Sequence, residues 1–436
     1  MQKPRLSRLS AALCVSLAGA AAAQSSFFTI APDVGYDYAV VQDVSANGRY
    51  VLVSLQNSVT RPDPLKGYIL DLETNTRTYI ADPFGSDLNP IAINADGSVV
   101  VGSLGGGPLA NVHAFVWDEE GVIDIGGLPA GNVSYATGVS GDGSVVVGTT
   151  GANFGDAYQQ GWRWTREDGF TPLTDLGPDT LDFGSAEDIS ADGSTVVGYG
   201  TLGDQDPDTD DLTFAVRWTG SGDTPENIGN LPSPIATGGA FGTAASTDGT
   251  VVVGFSPGFA PNGNFANRGF RWTTETGMVD IGSLPARPNG SIYVSDCSAD
   301  ANTLVGYMID GGPNSWQAIV WTQETGVRSL RDILAADGVT VPANLGLRET
   351  FTSGDAQIIA GWAYNTTTQR YVGYVARLAP PPCIGDFNQD GGIDGTDVEA
   401  FYNAWESAQP NADVNEDGGI DGADVEFFFT FWEQGC

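Results

Sequence analysis

Positive charge is what this sequence has least of. Its 436 residues carry 18 Lys and Arg against 54 Asp and Glu, for a formal net charge of −36. A nucleic-acid binder needs a basic footprint over the phosphates, and an anionic membrane surface attracts polybasic segments, so both classes are excluded. Histidine is nearly absent. With His113 alone, a His-rich zinc site cannot form and a Ser-His-Asp triad would hang on one residue. Long Leu/Ala/Glu/Lys runs are scarce too, while 59 Gly and 24 Pro point to many turns and short strands. Disorder is excluded by 41% hydrophobic residues, with 10 Trp, 14 Tyr and 20 Phe to bury.

The first 23 residues read as a secretory signal peptide. Lys3, Arg5 and Arg8 form a basic start, Leu9–Ala20 is apolar but too short to span a bilayer, and Ala21–Ala23 offers a cleavage site. Cys14 raises a lipoprotein alternative, disfavoured by its place in mid-segment. No other run has transmembrane length. The mature chain is expected outside the cell or on its surface, where disulfides persist.

From there to residue 379 the chain repeats. A short strand, a Ser-x-Asp-Gly-like turn and an apolar strand ending in Gly recur seven times, from Ser45, Asn94, Ser140, Ser190, Ser246, Ser298 and Ser353, at spacings of 49, 46, 50, 56, 52 and 55 residues. Asp-Gly between apolar runs favours a tight hairpin, and β-branched runs such as Val145–Val147 suit strands buried on both faces. Each unit continues through an aromatic third strand, such as Gly269-Phe270-Arg271-Trp272, to a fourth strand. Four strands per roughly 50 residues is the arithmetic of a β-propeller blade. The seventh unit lacks a fourth strand, and Phe27–Pro32 is an orphan strand before the first. Pairing the two closes a seven-bladed, all-β propeller over residues 24–379 and removes its open edges.

These units resemble the HAF family of extracellular repeats, in which a Ser-x-Asp-Gly-x-x-Val-Val-Gly run precedes Ala-Phe-x-Trp; His113-Ala114-Phe115 carries the literal letters. The resemblance implies a propeller and an extracellular address, and brings no activity.

After a Pro380–Pro382 linker, residues 383–436 hold 13 acids and no Lys or Arg. Two twelve-residue loops match at an offset of 27. Asp386, Asn388, Asp390, Gly392 (through its carbonyl), Asp394 and Asp397 in the first, and Asp413, Asn415, Asp417, Gly419, Asp421 and Asp424 in the second, fall at positions 1, 3, 5, 7, 9 and 12 of an EF-hand-type loop. A hard cation wants six to eight such oxygens, so two calcium ions are expected. Position 12 is Asp rather than Glu, and the prolines forbid an entering helix. Loop-then-helix, twice, resembles a dockerin. Cys383 and Gly435-Cys436 at its ends give it the look of a GC-type dockerin of bacterial surface proteins. That resemblance implies a cohesin-like or surface-sorting receptor. Gly395-Thr396 and Gly422-Ala423 stand at the two positions where cellulosomal dockerins read their cohesin, a departure from the type I pattern. Cys383 and Cys436 could bridge the module's ends, worth roughly 4 kcal/mol in the loop-closure account.

Other residues read as structure. His113 aligns with Gln160, Phe214, Arg268 and Gln317, a column without chemistry, and Cys297 shares its column with Val, Ile, Ala and Thr. The recurrent Asp96, Asp142, Asp192 and Asp248 belong to turns. After each strand-ending Gly stand Ser103, Thr149, Tyr199, Phe255, Tyr307 and Trp362, turning aromatic from blade 4 onward. Such rings suit sugar faces or packing between blades. With no catalytic residue singled out, the sequence reads as a secreted, dockerin-anchored calcium-binding protein whose propeller is a non-catalytic binding or scaffold surface, with a glycan as the candidate ligand. The alternative is a polysaccharide-degrading glycoside hydrolase or lyase, which would need an acid pair in the central pocket.

Overall fold

A computed structural model of the chain describes residues 24–434 except 58–64, 106–111, 129–132, 152–158, 178–183, 203–211, 221–223, 233–238, 312–314, 380–382, 391 and 416. Residues 1–23, read from the sequence as a signal peptide and including Cys14, and Pro380–Pro382 lie outside the described residues. Ser25–Leu378 form one compact unit, and the segment from Ala379 belongs to a second.

The larger unit is a seven-bladed propeller of four-stranded antiparallel sheets. Blades 1 to 6 span residues 38–79, 87–126, 133–172, 184–229, 241–280 and 291–329; blades 3 and 4 are linked into one sheet by a single parallel pair, Gln160 with Gly184. Blade 7 takes its first three strands from Leu345–Thr352, Ile358–Asn365 and Arg370–Arg377, and its fourth from the N-terminal Ser26–Ile30, which pairs antiparallel with the third (Phe28 opposite Val375). A seven-residue helix, Leu330–Ala336, which no sequence pattern announced, leads out of blade 6 and buries Leu330 and Leu334.

Each signature is a clasp. In the six that begin with Ser, its hydroxyl donates to the Asp two residues on (Asn47 in blade 1) and accepts the backbone N–H five residues on, as in Ser140 to Asp142 (2.8 Å) and Val145 to Ser140 (3.0 Å); in blade 2 the Asn94 side-chain oxygen accepts Val99 N–H (2.9 Å). The turn's last residue has a left-handed φ, from +66° to +80° in Gly48, Gly97, Gly143, Gly193 and Gly249. In blades 6 and 7 Ala301 (+49°) and Ala356 (+57°) adopt the same region, at a steric cost that glycine avoids. The turns also join one another around the ring. Asn47 N–H donates to Ala95 O, Ala95 to Gly141, Gly141 to Ala191, Asp192 to Thr247, Thr247 to Ala299, Ala299 to Gly354 and Gly354 to Ala46, all within 2.8–3.2 Å. These bonds satisfy backbone groups at the hub and hold all seven blades in register.

Candidate functional site

The innermost strand of every blade carries a β-bulge three to five residues before its signature Ser or Asn, for example between Ala186 and Asp188 and between Val294 and Asp296. A bulge re-aims side chains, and here it turns Gln42, Thr137, Glu187, Thr243, Ser295 and the neighbouring Glu349 into the centre of the ring. It also explains the terminal glycine of the Val-Val-Gly runs. The bulged strand pushes its carbonyl so close that a Cβ on Gly254 would meet Phe241 O at 1.9 Å, and one on Gly148 would meet Tyr135 O at 2.0 Å.

Two cavities lie along the ring axis, of about 130 and 350 Å³, each bounded by the innermost strands of all seven blades. Asp43, Asp188 and Asp296 border both. Each of the three carboxylates reaches across to the next blade: Asp43 accepts Ile93 N–H (2.9 Å), Asp188 accepts Ala245 N–H (3.3 Å) and Asp296 accepts Thr352 N–H (2.8 Å). Burial in the ring centre, augmented for Asp43 and Asp188 by repulsion from the Asp296 carboxylate, outweighs these bonds. It raises Asp43 well above the usual range, Asp188 to about 7 and Asp296 to about 6. Burial likewise raises Glu187 to about 7 and lifts Glu349, against hydrogen bonds from Ser185 and Trp362.

An acid whose folded pKa is raised contributes stability at low pH that is lost as pH climbs through the folded value. The turn acids act oppositely: the Ser98 and Thr250 hydroxyls hold Asp96 and Asp248 low, so their contribution fades only as pH falls below the ordinary carboxylate range. The melting temperature of the mature protein should therefore rise as pH drops from 8 to about 5.5 and fall again below about 4. A Glu187→Gln, Asp188→Asn double variant should flatten the upper limb. An unchanged slope in that variant would place the titration elsewhere.

At the end of the channel opposite the signature turns, the positions five before and nine after each signature residue meet. Six are cross-strand pairs, Val40/Ser54, Asn89/Ser103, Tyr135/Thr149, Ser185/Tyr199, Phe241/Phe255 and Tyr293/Tyr307, and in blade 7 Arg348, inside the bulge, lies over the Trp362 ring. The aromatic column read from the sequence is thus half of a ring of pairs. Phe241 stacks on Phe255 and Tyr293 on Tyr307 within blades, while Tyr199–Phe241 and Phe255–Tyr293 meet edge-on between blades. Trp316 extends the stack from Tyr307, and the Arg348 guanidinium lies 4.7 Å from the Trp316 ring and 5.2 Å from Trp362. Both packing and an open polar-to-aromatic rim result, because these rings stay half-buried. Column-by-column reading missed the partners Phe241 and Tyr293; counting back from each signature Ser would have found them.

His113 Nδ1 bonds Asp124 at 2.9 Å, away from the channel, and Cys297 is free and buried.

In the smaller unit the loops precede helices Gly395–Glu406 and Gly422–Gln434. Phe401 and Phe428 are fully buried and stacked 4.3 Å apart, with Phe387 edge-on to both. Trp405 and Trp432 are half-buried and cross-brace the loops. Trp405 Nε1 donates to Asp421 O (2.8 Å) and Trp432 Nε1 to Asp394 O (3.1 Å), the position-9 carbonyl of the opposite loop in both cases. The position-12 acids Asp397 and Asp424 are wholly buried. Asp397 accepts Asn388 N–H (3.1 Å) and Asp394 N–H (2.9 Å), and Asp424 accepts Asn415 N–H (3.3 Å) and Asp421 N–H (2.8 Å). Asp386, Asp390, Asp413 and Asp417 turn toward loop N–H groups as well. Among the described residues no three acidic, His or Cys side chains converge on one point. Asp413 Oδ1 is nonetheless buried without a partner, an acceptor that a cation at position 1 would satisfy. The oxygen donor set fits calcium. Gly418, at position 6, has φ +87°; its counterpart Gly391 lies outside the described residues. Cys383 is disulfide-bonded, but its partner lies outside the described residues, as does Cys436.

Residues 384–428 match the dockerin type I domain. No curated protein matches the chain in sequence. The β-propeller domain of the Trilobed protease from Pyrococcus furiosus is similar at 10% identity and a TM-score of 0.52, over 78% of this chain and 95% of that one. A prolyl endopeptidase is similar at 12% identity and a TM-score of 0.50, over 80% of this chain but only 51% of its own length. Identities this low speak to fold and not to activity. Among the described residues no helix is long and apolar enough to cross a membrane. The chain thus joins a β-propeller to a C-terminal dockerin type I domain.

Proposed function

We propose that this is a secreted protein of HAF-type repeats, held at the cell surface or in an extracellular assembly through a calcium-binding dockerin, with a propeller that binds a glycan without cleaving it. The observation that carries the binding role is the half-buried rim of aromatic and polar pairs around one channel mouth, since aromatic faces and nearby hydrogen-bonding groups suit sugar rings. The three channel aspartates support a non-catalytic role, because their carboxylates are engaged by the N–H groups of neighbouring blades. Asp386, Asn388, Asp390, Gly392, Asp394 and Asp397, with Asp413, Asn415, Asp417, Gly419, Asp421 and Asp424, would hold two calcium ions. The partner of the dockerin would be a cohesin-like or surface-sorting receptor, and Cys383–Cys436 the module's closing disulfide.

One observation favours the enzyme reading: Glu187 and Glu349, both raised, face the same central cavity and could divide acid and base roles. A glycan array run beside a polysaccharide-cleavage screen on residues 24–436 separates the two. Binding without product, weakened in a Trp316→Ala, Trp362→Ala variant, is expected. Product formation abolished by Glu187→Gln would replace binding with catalysis.

A further inference from the structure

Beside the ring axis, between blades 2, 3 and 4, lies a side cavity of about 290 Å³ that shares Thr137 and Glu187 with the larger axial one and is bordered besides by Asn89, Tyr135, Gln159, Ser185 and Tyr199. Its size sits at the lower end of the range for small-molecule sites, about 300–1,000 Å³. The Asn89 side-chain oxygen is buried and has no hydrogen-bond partner among the described residues, a condition that costs about 1–3 kcal/mol unless a ligand or water relieves it. Turning the amide end for end would bury an NH2 group in the same unsatisfied place, so either orientation asks for a hydrogen-bonding visitor. Around it, Ser185 bridges Thr149 (2.8 Å) and Glu187 (3.1 Å), and the Tyr199 hydroxyl donates to Gln159 (2.9 Å). These internal bonds fix the polar wall, while Tyr135 and Tyr199 add ring surface. Among the described residues no Lys or Arg borders the cavity.

We infer that this cavity is the sugar subsite of the propeller: it takes one neutral, hydroxylated sugar ring, whose hydroxyl bonds Asn89 while its C–H face lies against a tyrosine. This rests on the glycan-binding reading above and narrows it. A hydroxyl both donates and accepts, and so meets Asn89 in either orientation. A phosphate or carboxylate is disfavoured, because the wall offers no cation and presents Glu187 instead.

Residues 24–436 can be titrated by calorimetry with cellohexaose, xylohexaose and mannohexaose, with oligogalacturonate as the charged comparison. Binding of at least one neutral hexasaccharide is expected, weakened about tenfold or more in Asn89→Ala and in Tyr135→Ala and unchanged in His113→Gln. Asn89→Ser and Tyr135→Leu serve if either alanine variant melts early. Neutral-sugar binding that survives both substitutions within twofold, or a preference for oligogalacturonate, would overturn the subsite while leaving a glycan-binding propeller. Failure of all four probes would overturn both.

Discussion

Removing residues 24–33 should lower the melting temperature of the mature protein by on the order of 10 °C and leave it prone to association. The deletion strips the fourth strand from blade 7 and exposes the row of N–H and C=O groups on Arg370–Arg377. Burying Ile30, which is 3% exposed, is worth about 2 kcal/mol. The lost ladder bonds, at about 1 kcal/mol per hydrogen bond, and the Phe27–Tyr374 stack (5.7 Å) add to that loss. Asp33 also leaves, and with it the contacts to Arg77 and Tyr79 that tie the N-terminus to blade 1. The turn-to-turn link from Gly354 to Ala46 survives the deletion, so the ring should remain assembled at its hub while blade 7 frays. Hydrogen exchange localised to residues 345–377 would show this. A truncated protein that melts with the full mature one would mean that the hub alone closes the ring. Ile30→Asp tests the same seam with one side chain and should reproduce a large part of the loss.

Calcium removal should affect the smaller unit as strongly. Thirteen acids without a compensating Lys or Arg share 54 residues, and repulsion among them grows when the loops hold no cation. Calorimetry on EGTA-stripped residues 24–436 should register two calcium ions. Because Trp405 and Trp432 each bond the opposite loop, filling either loop should stiffen both, and tryptophan emission should follow the titration. Asp397→Ala or Asp424→Ala removes a buried carboxylate that joins position 3 to the start of the helix. Each should abolish one site and weaken the other. Absence of uptake, or a smaller unit equally ordered with and without calcium, would remove the metal from this account. Protease resistance of residues 383–436 should likewise depend on calcium while that of the propeller does not.

Periodicity alone determined the seven blades, the borrowed strand and the two loops. Repetition leaves the same residue types at the same offsets, as in Ser140, Ser190 and Ser246, and Asp-Gly and Val-Val-Gly carry their local geometry with them. The tertiary structure alone decided what those letters do. The residue between Ser and Asp joins its turn to the next across the hub, a contact between residues some fifty positions apart that no single repeat reveals. The glycine after each valine run is demanded by a bulged carbonyl on a different strand. Asp43, Asp188 and Asp296 occupy one column shared with Ala92, Gly138, Ala244 and Phe351, so the sequence offers no regularity to flag them; they face one another only because seven strands converge. The same convergence, acting on irregular rather than repeated positions, makes the rim aromatic on one side and small and polar on the other. Secondary structure follows local rules and could be read along the chain, whereas a site at the axis of a ring depends on residues that meet only once the ring has closed.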